Sequence, residues 1–444
     1  MYSKDELKTS TLIELRKIAE SIKLEGFERL KKDYLIEEII KKLEEKKELE
    51  HKNNIEIENP ETDYIAEGIL EVMSDGYGFI RSDNYLPGNK DIYVSAMQIK
   101  RFNLATGDEL KGIARFTTDP ANKFPSMIYI ESINNDSVDV AMKRKAFDAL
   151  VPIYPNEKLR LEGKNKAAVS MRVLDILAPI GKGSRGMIVA PPKAGKTTLL
   201  KQIATSITEN NPESKLLVLL IDERPEEVTD IERSIDAEVI SSTFDESPEH
   251  HIKVARMVLE RAKRLVEHNK DVVILLDSIT RLTRGNNLCV EPSGRTLSGG
   301  LDPVCLNFPK KFFGAARNIE HGGSLTILAT ALTDTGSRMD DIIFEEFKGT
   351  GNMEIHLDRK LSEKRIFPSI DILKSGTRRD DLLLNESEYK AATTIRKLYS
   401  NQTNMLAMET VEKILAMFAK TNTNEEFIEL LNSQVKIKPK ATNN

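Results

Sequence analysis

A glycine-containing segment near the middle of the chain constrains its fold more than any other feature. This segment, residues 185–198, has the sequence RGMIVAPPKAGKTT. Residues 187–190 are apolar, as in a strand buried on both faces, and residues 198–204 have the apolar spacing of a helix. The intervening loop is therefore expected at a helix N-terminus, where unpaired backbone N–H groups attract anions. The segment predicts a phosphate-binding loop between a parallel strand and a helix.

Three residues of this loop are of the types that nucleotide binding requires. Gly195 lets the backbone approach phosphates closely, Lys196 supplies a mobile cation for the β- and γ-phosphates, and the Thr197 hydroxyl can ligate Mg²⁺. The first motif position is Ala190 in place of glycine, a variant for which the strand, loop and helix context compensates. We therefore expect ATP and Mg²⁺ as cofactors. The alternative is a chance Gly-Lys-Thr sequence in an ordinary loop.

Length and composition limit the class of protein. The chain has 444 residues, enough for two to four domains. It has no apolar run of about eighteen residues and begins with a charged segment, so we expect neither membrane insertion nor secretion, and a cytosolic location. Its two cysteines, Cys289 and Cys305, offer neither a disulfide framework nor metal-ligand spacing. With 65 basic and 70 acidic residues, any contact with nucleic acid must come from a local surface.

The first third of the chain changes character several times. Residues 1–48 have the apolar periodicity of two or three short helices with basic polar faces. We expect a small helical domain, used either for packing or as an auxiliary surface for nucleic acid. Residues 49–62 are polar and contain Pro60, as in a linker. After a third domain, residues 136–166 combine a basic run with a Pro-broken stretch and are expected to form a surface connector.

Residues 63–135 have the short alternating strands and frequent turns of a small β-barrel. Tyr77 and Phe79 are two residues apart and therefore share one face of a strand, while glycines occupy the other face. Tyr93 is expected on a second strand, and Arg81 is placed to hold a phosphate. An aromatic stripe is often core packing, which stays an alternative. The interleaved glycines favour exposed rings that stack on the bases of single-stranded nucleic acid.

From residue 167 to residue 444, apolar strands alternate with helical stretches, which predicts a mostly parallel sheet covered by helices on both faces. Residues 215–223 and 271–277 are buried strands that end in carboxylates, Glu223 and Asp277. Ligands of such sheets gather at the carboxyl ends of strands, so both should lie near the phosphate-binding loop. Asp277 is expected to hold Mg²⁺ and Glu223 to deprotonate the attacking water. Taken singly, either carboxylate is better explained as a solvated strand end, and only together with the phosphate-binding loop do the two favour a catalytic site.

Three further segments place cations on loops. Arg378 lies on a glycine-containing loop and can supply positive charge to a γ-phosphate, in its own subunit or across a subunit boundary. Residues 291–300, around Arg295, and residues 334–338, ending at Arg338, combine one arginine with hydroxyls and glycines. Such loops suit non-specific contact with a sugar-phosphate chain. Ordinary surface loops are the alternative.

Several motifs together resemble the bacterial transcription termination factor Rho family, over nearly the whole chain. They are APPKAGKT at 190–197, LIDERPEEV at 220–228, DSITRL at 277–282, FFGAAR at 312–317 and EEFKGTGN at 345–352. The barrel motifs GYGF at 76–79 and DIYV at 91–94 are similar to the cold-shock type of OB-fold. The resemblance implies a helical head, an RNA-binding barrel and a RecA-like motor with C-terminal helices.

The resemblance also implies an activity and partners. Members of the family form homohexameric rings in the bacterial cytoplasm, without membrane contact. They load on nascent single-stranded RNA, translocate 5′ to 3′ by ATP hydrolysis and release the transcript from the RNA polymerase elongation complex. The expected activity is therefore that of an RNA-dependent ATPase and RNA–DNA helicase.

Site residues carry over position by position. The nucleotide site would comprise Lys193, Ala194, Gly195, Lys196, Thr197, Thr198 and Phe367, with Phe367 stacked on adenine and Thr197 and Asp277 holding Mg²⁺. Catalysis would use Glu223 and Lys196, with Arg378 from a neighbouring subunit and Arg365 and Arg224 as further charge partners. The primary RNA site would comprise Tyr77, Phe79, Arg81, Tyr93 and Phe124. The pore loops would contribute Arg295, Thr296, Gly336, Ser337 and Arg338.

Asn122 and Lys123, beside Phe124, stand where some relatives carry an acidic residue that helps to read cytosine, so the preferred RNA sequence stays open. Two rival functions are a DNA-directed or rotary RecA-type ATPase and a passive RNA-binding protein with a decayed nucleotide site. The barrel aromatics argue against the first rival. The intact set of Lys196, Glu223 and Asp277 argues against the second.

Overall fold

The computed structural model describes residues 62–81, 84–116, 124–163, 168–400 and 404–436. The helical domain expected at 1–48, nearly all of the expected linker, and the pair Asn122 and Lys123 lie outside these ranges. The described residues fall into two compact units, one within 1–66 and 112–130 and the other within 67–111 and 131–444.

Short strands with alternating burial form the first described part of the chain. They are β1 (Asp63–Val72), β2 (Gly78–Arg81), β3 (Ile92–Val94), β4 (Glu109–Arg115), β5 (Ser126–Ile133) and β6 (Asp136–Ser137). The sheet order is β3-β2-β1-β4-β5-β6, and a further pairing of β3 with β5 closes the sheet. A short helix, α1 (Ala96–Arg101), begins with a capping box between Ser95 and Gln98. The predicted small β-barrel is confirmed.

The smaller unit contains the outer ends of β1 and β4 and most of β5. Arg115 donates to Asp63, with 2.6 Å between Nε and Oδ1. The rings of Tyr64 and Phe116 stack with their centroids 4.7 Å apart. These contacts join the first residues of β1 to the end of β4 within this unit.

The larger unit continues into a second, larger sheet. Its strands are β7 (Pro152–Ile153), β8 (Arg185–Ala190), β9 (Lys215–Glu223), β10 (Glu238–Thr243), β11 (Asp271–Asp277), β12 (Arg317–Ile319), β13 (Ser324–Leu332), β14 (Met353–His356) and β15 (Gly376–Thr377). Its helices are α2 (Val138–Met142), α3 (Val169–Leu177), α4 (Lys196–Asn210), α5 (Pro225–Ser234), α6 (Pro248–Glu267), α7 (Ile279–Cys289), α8 (Asn307–Gly314), α9 (Arg338–Phe347), α10 (Arg359–Glu363), α11 (Glu386–Ser400), α12 (Asn404–Ala419) and α13 (Asn424–Lys436). Short 3₁₀ turns occupy Phe147–Ala149, Ser298–Gly300, Pro303–Leu306 and Asp380–Leu382.

The central strands run parallel in the order β10-β9-β11-β13-β8-β14, and β15 is antiparallel to β14 at one edge. Alternate residues of each strand face opposite cores because successive side chains of a strand point to opposite faces. In β8, Met187 and Val189 join one apolar cluster, whereas Ile188 and Ala190 join the other. Burial on both faces explains the continuous apolar runs in the sequence. The predicted α/β motor domain is confirmed.

The opposite edge of the large sheet is covered by a segment that precedes β3. The side-chain amide of Asn84 pairs with the backbone of the edge strand β10, as a neighbouring strand would. The backbone N–H of Ser241 donates to Asn84 Oδ1 at 3.0 Å, and Asn84 Nδ2 donates to the Ser241 carbonyl. The buried Tyr85 hydroxyl donates to Glu238 at the start of β10. These contacts satisfy backbone groups that an exposed edge strand would leave unpaired.

The C-terminal helices pack on the motor through one buried arginine. Arg172 of α3 donates to the carbonyl oxygens of Phe418 at 2.8 Å and Thr421 at 2.6 Å, at the end of α12. A cation is favourable there because helix C-termini carry partial negative charge. Phe418 and Phe427 stack with their centroids 3.6 Å apart, which joins α12 to α13. Within the described residues, none of the helices is long and apolar enough to span a membrane.

Candidate nucleotide site and nucleic-acid contacts

The phosphate-binding loop lies between β8 and α4, as the sequence predicts. Gly195 is the N-cap residue of α4 and has a φ of 88°, in the left-handed region that favours glycine. A Cβ on Gly195 would also approach the ring of Phe367 at 3.6 Å. Lys193 and Thr198 are exposed on the loop and the first helical turn, whereas Ala194 is buried. The backbone N–H groups that begin α4 are thus available to an anion.

Lys196 and two strand-end carboxylates converge beside this loop. Lys196 Nζ lies 2.6 Å from both carboxylate oxygens of Asp277 and 3.6 Å from Glu223 Oε2. Asp277 ends β11 and Glu223 ends β9, two adjacent parallel strands. The structure therefore brings together the cation and both carboxylates that the sequence placed at one sheet edge.

Two residues that sequence reasoning did not single out complete this cluster. The Thr330 hydroxyl, on β13, donates to Asp277 Oδ1 at 2.7 Å and so orients the carboxylate. An Arg281 terminal nitrogen lies 3.6 Å from Glu223 Oε1. Arg281 lies within the DSITRL motif, so its place in the first turn after β11 was a usable signal. Nothing local marked Thr330, since its contact depends on the register between β11 and β13.

Glu223 occupies a site suited to a base. Glu223 is only 3% exposed, and this burial raises the pKa of its carboxyl above the ordinary value. The nearby Asp277 carboxylate adds to this rise in pKa, while Lys196 and Arg281 act in the opposite direction. A carboxylate with a raised pKa accepts a proton from water more readily.

A cavity of about 450 Å³ adjoins the loop on its other side. Phe367, whose side chain is 52% exposed, forms one wall of this cavity. Lys193 and Gly195 of the loop, together with Gln202 of α4, form another wall. The Ser369 hydroxyl donates to the Ala194 carbonyl at 2.7 Å, which ties the segment of Phe367 to the phosphate-binding loop. An exposed aromatic ring next to a phosphate site is suited to stack on a nucleotide base.

The donor set beside the loop fits Mg²⁺. The Thr197 hydroxyl and the Asp277 carboxylate are hard oxygen ligands, and Mg²⁺ usually takes one or two carboxylates together with substrate phosphates. No cluster of three or more His, Cys, Asp or Glu side chains with metal-ligand geometry occurs in the part of the chain that the structure describes. A metal at this place would therefore depend on the nucleotide for further ligands.

Arg378 lies far from the phosphate-binding loop of its own chain. It follows β15, whose Thr377 pairs with Met353 of β14, and Met353 pairs with Gly186 near the start of β8. The loop begins after Ala190, and a strand rises about 3.3 Å per residue, so the two places are separated by at least about 13 Å along the sheet. The Arg378 side chain is exposed at that end.

Arg224 and Arg365, the other two arginines predicted to serve catalysis, are also exposed. Arg224 is the N-cap residue of α5, directly after Glu223, and its guanidinium lies 3.9 Å from Glu227. Arg365 has a φ of 61° and comes two residues before Phe367. Neither guanidinium is part of the Lys196 cluster.

Three of the four predicted barrel aromatics form one cluster. Phe79 of β2 pairs in register with Tyr93 of β3, and Tyr77 lies beside both, with ring centroids 5.8 to 6.0 Å apart. Gly78 leaves no room for a side chain, because a Cβ would lie 2.8 Å from the carbonyl oxygen of Glu71. All three rings are partly exposed, so the cluster presents aromatic surface to solvent.

The sequence predicts that Arg81 is open to contact a phosphate, but the structure buries its side chain. It is 5% exposed, its guanidinium lies 5.1 Å from the Phe79 ring centroid, and it donates to Glu71 at 2.7 Å and to Asp91. Phe124 belongs to the smaller unit. The structure therefore groups Tyr77, Phe79 and Tyr93 with a paired Arg81.

The two predicted pore loops contact each other. Arg295 and Thr296 lie on an exposed segment in which Gly294, Gly299 and Gly300 have positive φ. A Cβ on Gly299 would lie 2.8 Å from the backbone nitrogen of Met339, the second residue of α9. Gly336, Ser337 and Arg338 precede or begin α9. The loops follow β11 and β13, which are neighbours in the sheet, and this explains their proximity.

Three family models match the chain. The Rho termination factor RNA-binding domain matches residues 66–139, the nucleotide-binding domain of the ATP synthase alpha/beta family matches 170–377, and the Rho termination factor N-terminal domain matches 6–48. The first two matches cover the barrel aromatics and the Lys196 cluster. The third covers residues that lie outside the described ranges.

Curated relatives match the chain almost end to end. The transcription termination factor Rho of Bacillus subtilis strain 168 is 52% identical over 97% of this chain and 96% of the relative. The factor of Aquifex aeolicus is 49% identical over 98% of this chain and 96% of its own length. The factor of Escherichia coli K12 is 48% identical over 96% of this chain and 98% of its own length.

Solved structures resemble the motor fold at lower identity. A prototypical ATPase of the type III secretion system of pathogenic bacteria aligns with a TM-score of 0.54 and 21% identity, over 72% of this chain and 94% of its own. The assembled ATPase EscN of enteropathogenic E. coli gives a TM-score of 0.53 and 21% identity, over 72% and 79%. At this identity the likeness supports the fold alone.

Proposed function

The chain belongs to the transcription termination factor Rho family and is an RNA-dependent ATPase, and from this premise we propose that it works as a ring of six identical subunits. In the proposal, the ring moves 5′ to 3′ along nascent single-stranded RNA and releases the transcript from RNA polymerase in the bacterial cytoplasm. The observation that carries the ATP-hydrolysing part is the convergence of Lys196, Asp277 and Glu223 at the carboxyl edge of the sheet.

Hydrolysis follows from the surroundings of these side chains. ATP phosphates bind at the N-terminus of α4, where Lys196 turns from Asp277 to the β- and γ-phosphates. A water molecule attacks the γ-phosphorus, the bond to the β,γ-bridging oxygen breaks, and Glu223 accepts the proton of the water. Mg²⁺, held by Thr197 and Asp277, would neutralise phosphate charge. The products are ADP, phosphate and a proton that leaves through Glu223.

Arg378 supports a site shared between subunits. Since it lies at the opposite end of the sheet from its own phosphate-binding loop, its charge can serve the γ-phosphate only of another copy. Exposed apolar and aromatic side chains lie nearby: Leu373 lines the same cavity as Arg378, and Tyr154 contacts the adjacent Arg379. Such exposed side chains are suited to contact between copies of the chain. Arg365 and Arg224 would add charge at the same boundary.

Helix α7 supports coupling between RNA and hydrolysis. Its Arg281 approaches Glu223 at 3.6 Å, and one turn later Arg284 donates to Ser337 at 2.9 Å and to Asp340 at 2.9 Å. Ser337 lies in the second proposed pore loop, and Asp340 lies in the first turn of α9, which follows that loop. RNA held by Arg338 and Arg295 would shift α7. This shift would move Arg281, the cation of α7 that faces the Glu223 carboxylate.

Strand displacement tests the proposed translocation. We expect the protein and ATP to release a DNA strand paired to an RNA that has a single-stranded 5′ tail, and not one paired to an RNA with only a 3′ tail. A slowly hydrolysed ATP analogue serves as the control. Release from the 3′-tailed substrate alone would contradict the direction, and release without hydrolysis would contradict a motor.

A further inference from the structure

A large cleft lies between the barrel and two motor helices, within the larger unit. It has a volume of about 1090 Å³, at or above the upper end of the roughly 300–1,000 Å³ of small-molecule pockets. Barrel residues Glu71 and Thr106 line one side, and α6 and α8 line the other. Its size and open form suit a chain rather than a single small molecule.

The walls of the cleft are fixed before any ligand binds. Gly107, with a φ of 94°, brings the barrel backbone against α6, where a Cβ would lie 2.4 Å from the Glu260 carbonyl carbon. Beside it, Arg261 of α6 donates to Glu109 at 2.7 Å. On the barrel side, the backbone N–H of Val72 donates to Thr106 Oγ1 at 3.0 Å. A preformed cleft binds a ligand without the cost of ordering its walls.

The cleft presents an aromatic ring and cations together. Phe308 of α8 is partly exposed, and the Arg256 guanidinium of α6 lies 5.2 Å from its ring centroid. Arg256 and Lys311 are exposed, and neither has an ion pair among the described residues. The lining acids Glu71 and Glu260 are instead bound by Lys253 at 3.0 Å and Lys263 at 2.6 Å. With Glu249 the remaining acid, Arg256 and Lys311 face the cleft as cations that are unpaired among the described residues, beside a stacking surface.

The two ends of the cleft meet two RNA contacts. At one end, Glu71 is the cross-strand neighbour of Phe79 in the barrel aromatic cluster. At the other end, Cys289 and Asn307 flank the segment that contains Arg295. The lining residues of the cleft therefore adjoin the barrel site across a strand pair and the first proposed pore loop along the chain.

We propose that this cleft binds a segment of single-stranded RNA that runs from the barrel to the loop at 291–300. Phe308, backed by Arg256, stacks on a base, and Arg256 and Lys311 contact phosphates. The inference rests on the proposed function in one respect, because it takes the barrel and that loop as RNA contacts. It adds a binding site that joins them.

Two RNAs of different length test the site in the full-length protein. One has about 8 nucleotides, within the ~4–16 that one OB-fold spans, and the other has about 40 nucleotides. The salt slope is the slope of the logarithm of the binding constant against the logarithm of the salt concentration. We expect the double variant Arg256→Gln/Lys311→Gln to reduce the magnitude of this slope for the long RNA by about 1.4, since each lost phosphate contact on a single strand removes about 0.7. Binding of the short RNA should not change.

A second variant tests the stacking step, with charge left intact. Phe308→Leu keeps apolar packing against Phe312, whose ring centroid is 6.3 Å away, and should weaken the long RNA roughly 5- to 150-fold. The matched control is Lys390→Gln/Lys420→Gln, two exposed lysines outside the cleft, which should leave both affinities unchanged. Thermal unfolding of every variant checks that the fold is kept.

Unchanged affinity and salt slope for the long RNA in both cleft variants would overturn the proposal. An equal loss for the short RNA would also overturn it, because the effect would then lie in the barrel. RNA-stimulated ATP hydrolysis by the unaltered protein is measured in parallel. Its absence would contradict the proposed function, while the binding comparison would still decide the cleft.

Discussion

Glu223 is the residue on which hydrolysis depends in this account. It is buried, its pKa is raised first by burial and then by Asp277, and Lys196 and Arg281 face it within 3.6 Å. Asp277 has a different environment, because Lys196 binds both of its oxygens and Thr330 donates to one of them. We therefore propose two roles for the two strand-end carboxylates, one as base and the other as ligand of cations.

Replacement of this base should separate binding from chemistry. Glu223→Gln keeps the shape of the side chain and removes its proton acceptor, so we expect ATP affinity to be retained and turnover to fall by about 10²- to 10⁴-fold. Equilibrium ATP binding and steady-state hydrolysis measure the two effects. The exposed Glu226→Gln, three residues along the chain, is the matched control. A large loss of ATP affinity in Glu223→Gln would contradict the role as base.

Asp175 gives stability a pH dependence unrelated to catalysis. Burial raises the pKa of its carboxyl from 3.8 to about 6, although it accepts hydrogen bonds from the backbone of Leu161 and Glu162. The folded state thus holds the proton more tightly than the unfolded chain. This contribution to stability is fully present below pH 3.8 and is lost as the pH rises through about 6.

Asp175→Asn should remove this pH dependence. A shift of about two pKa units corresponds to roughly 3 kcal/mol, so the variant should gain up to that amount relative to the wild type between about pH 4 and pH 7. Urea midpoints across this range measure the difference. The exposed Asp236→Asn should show no such trend. A constant offset between Asp175→Asn and wild type at every pH would contradict the assignment.

At the scale of single elements, β2 shows how local sequence sets a binding surface. The alternation of glycine and aromatic residues at 76–79 predicts that Tyr77 and Phe79 share one face, and their ring centroids lie 5.8 Å apart. Gly78→Ala should push a Cβ into the Glu71 carbonyl and displace β2, at a cost of about 1–3 kcal/mol.

We expect Gly78→Ala to weaken short RNA binding and to leave ATP affinity unchanged, as measured by anisotropy and by equilibrium nucleotide binding. Gly88→Ala is the control, since its Cβ would meet no atom closer than 3.7 Å. Normal RNA binding by Gly78→Ala would show that the position of β2 does not hold the rings.

Elements also show where sequence reasoning is sufficient and where it is not. The strands that end at Ala190, Glu223 and Asp277 were predictable because continuous apolar runs and glycine-containing loops are local signals. The pairing of Arg81 with Glu71 and Asp91 was not, because it depends on strand register across ten residues in each direction. The contact of Asn84 with Ser241 joins residues 157 positions apart, and no local pattern marks it.

At the scale of the whole molecule, we predict an active site completed by a second subunit. Arg378→Ala and Lys196→Ala rings should each be inactive. Mixed rings should regain part of the activity, because an intact Lys196 site then meets an intact Arg378 of its neighbour. Hydrolysis after subunit exchange measures this, and the same rings assayed before exchange are the control. No recovery after verified exchange would contradict a site shared between subunits.

The central claim is that the Lys196 cluster hydrolyses ATP under the control of RNA. The most direct measurement is the rate of ATP hydrolysis by the full-length protein without nucleic acid, with single-stranded DNA, and with RNA homopolymers. We expect slow turnover without nucleic acid and with DNA, and strong stimulation by RNA. Equal turnover in all three conditions, or stimulation by DNA alone, would contradict it.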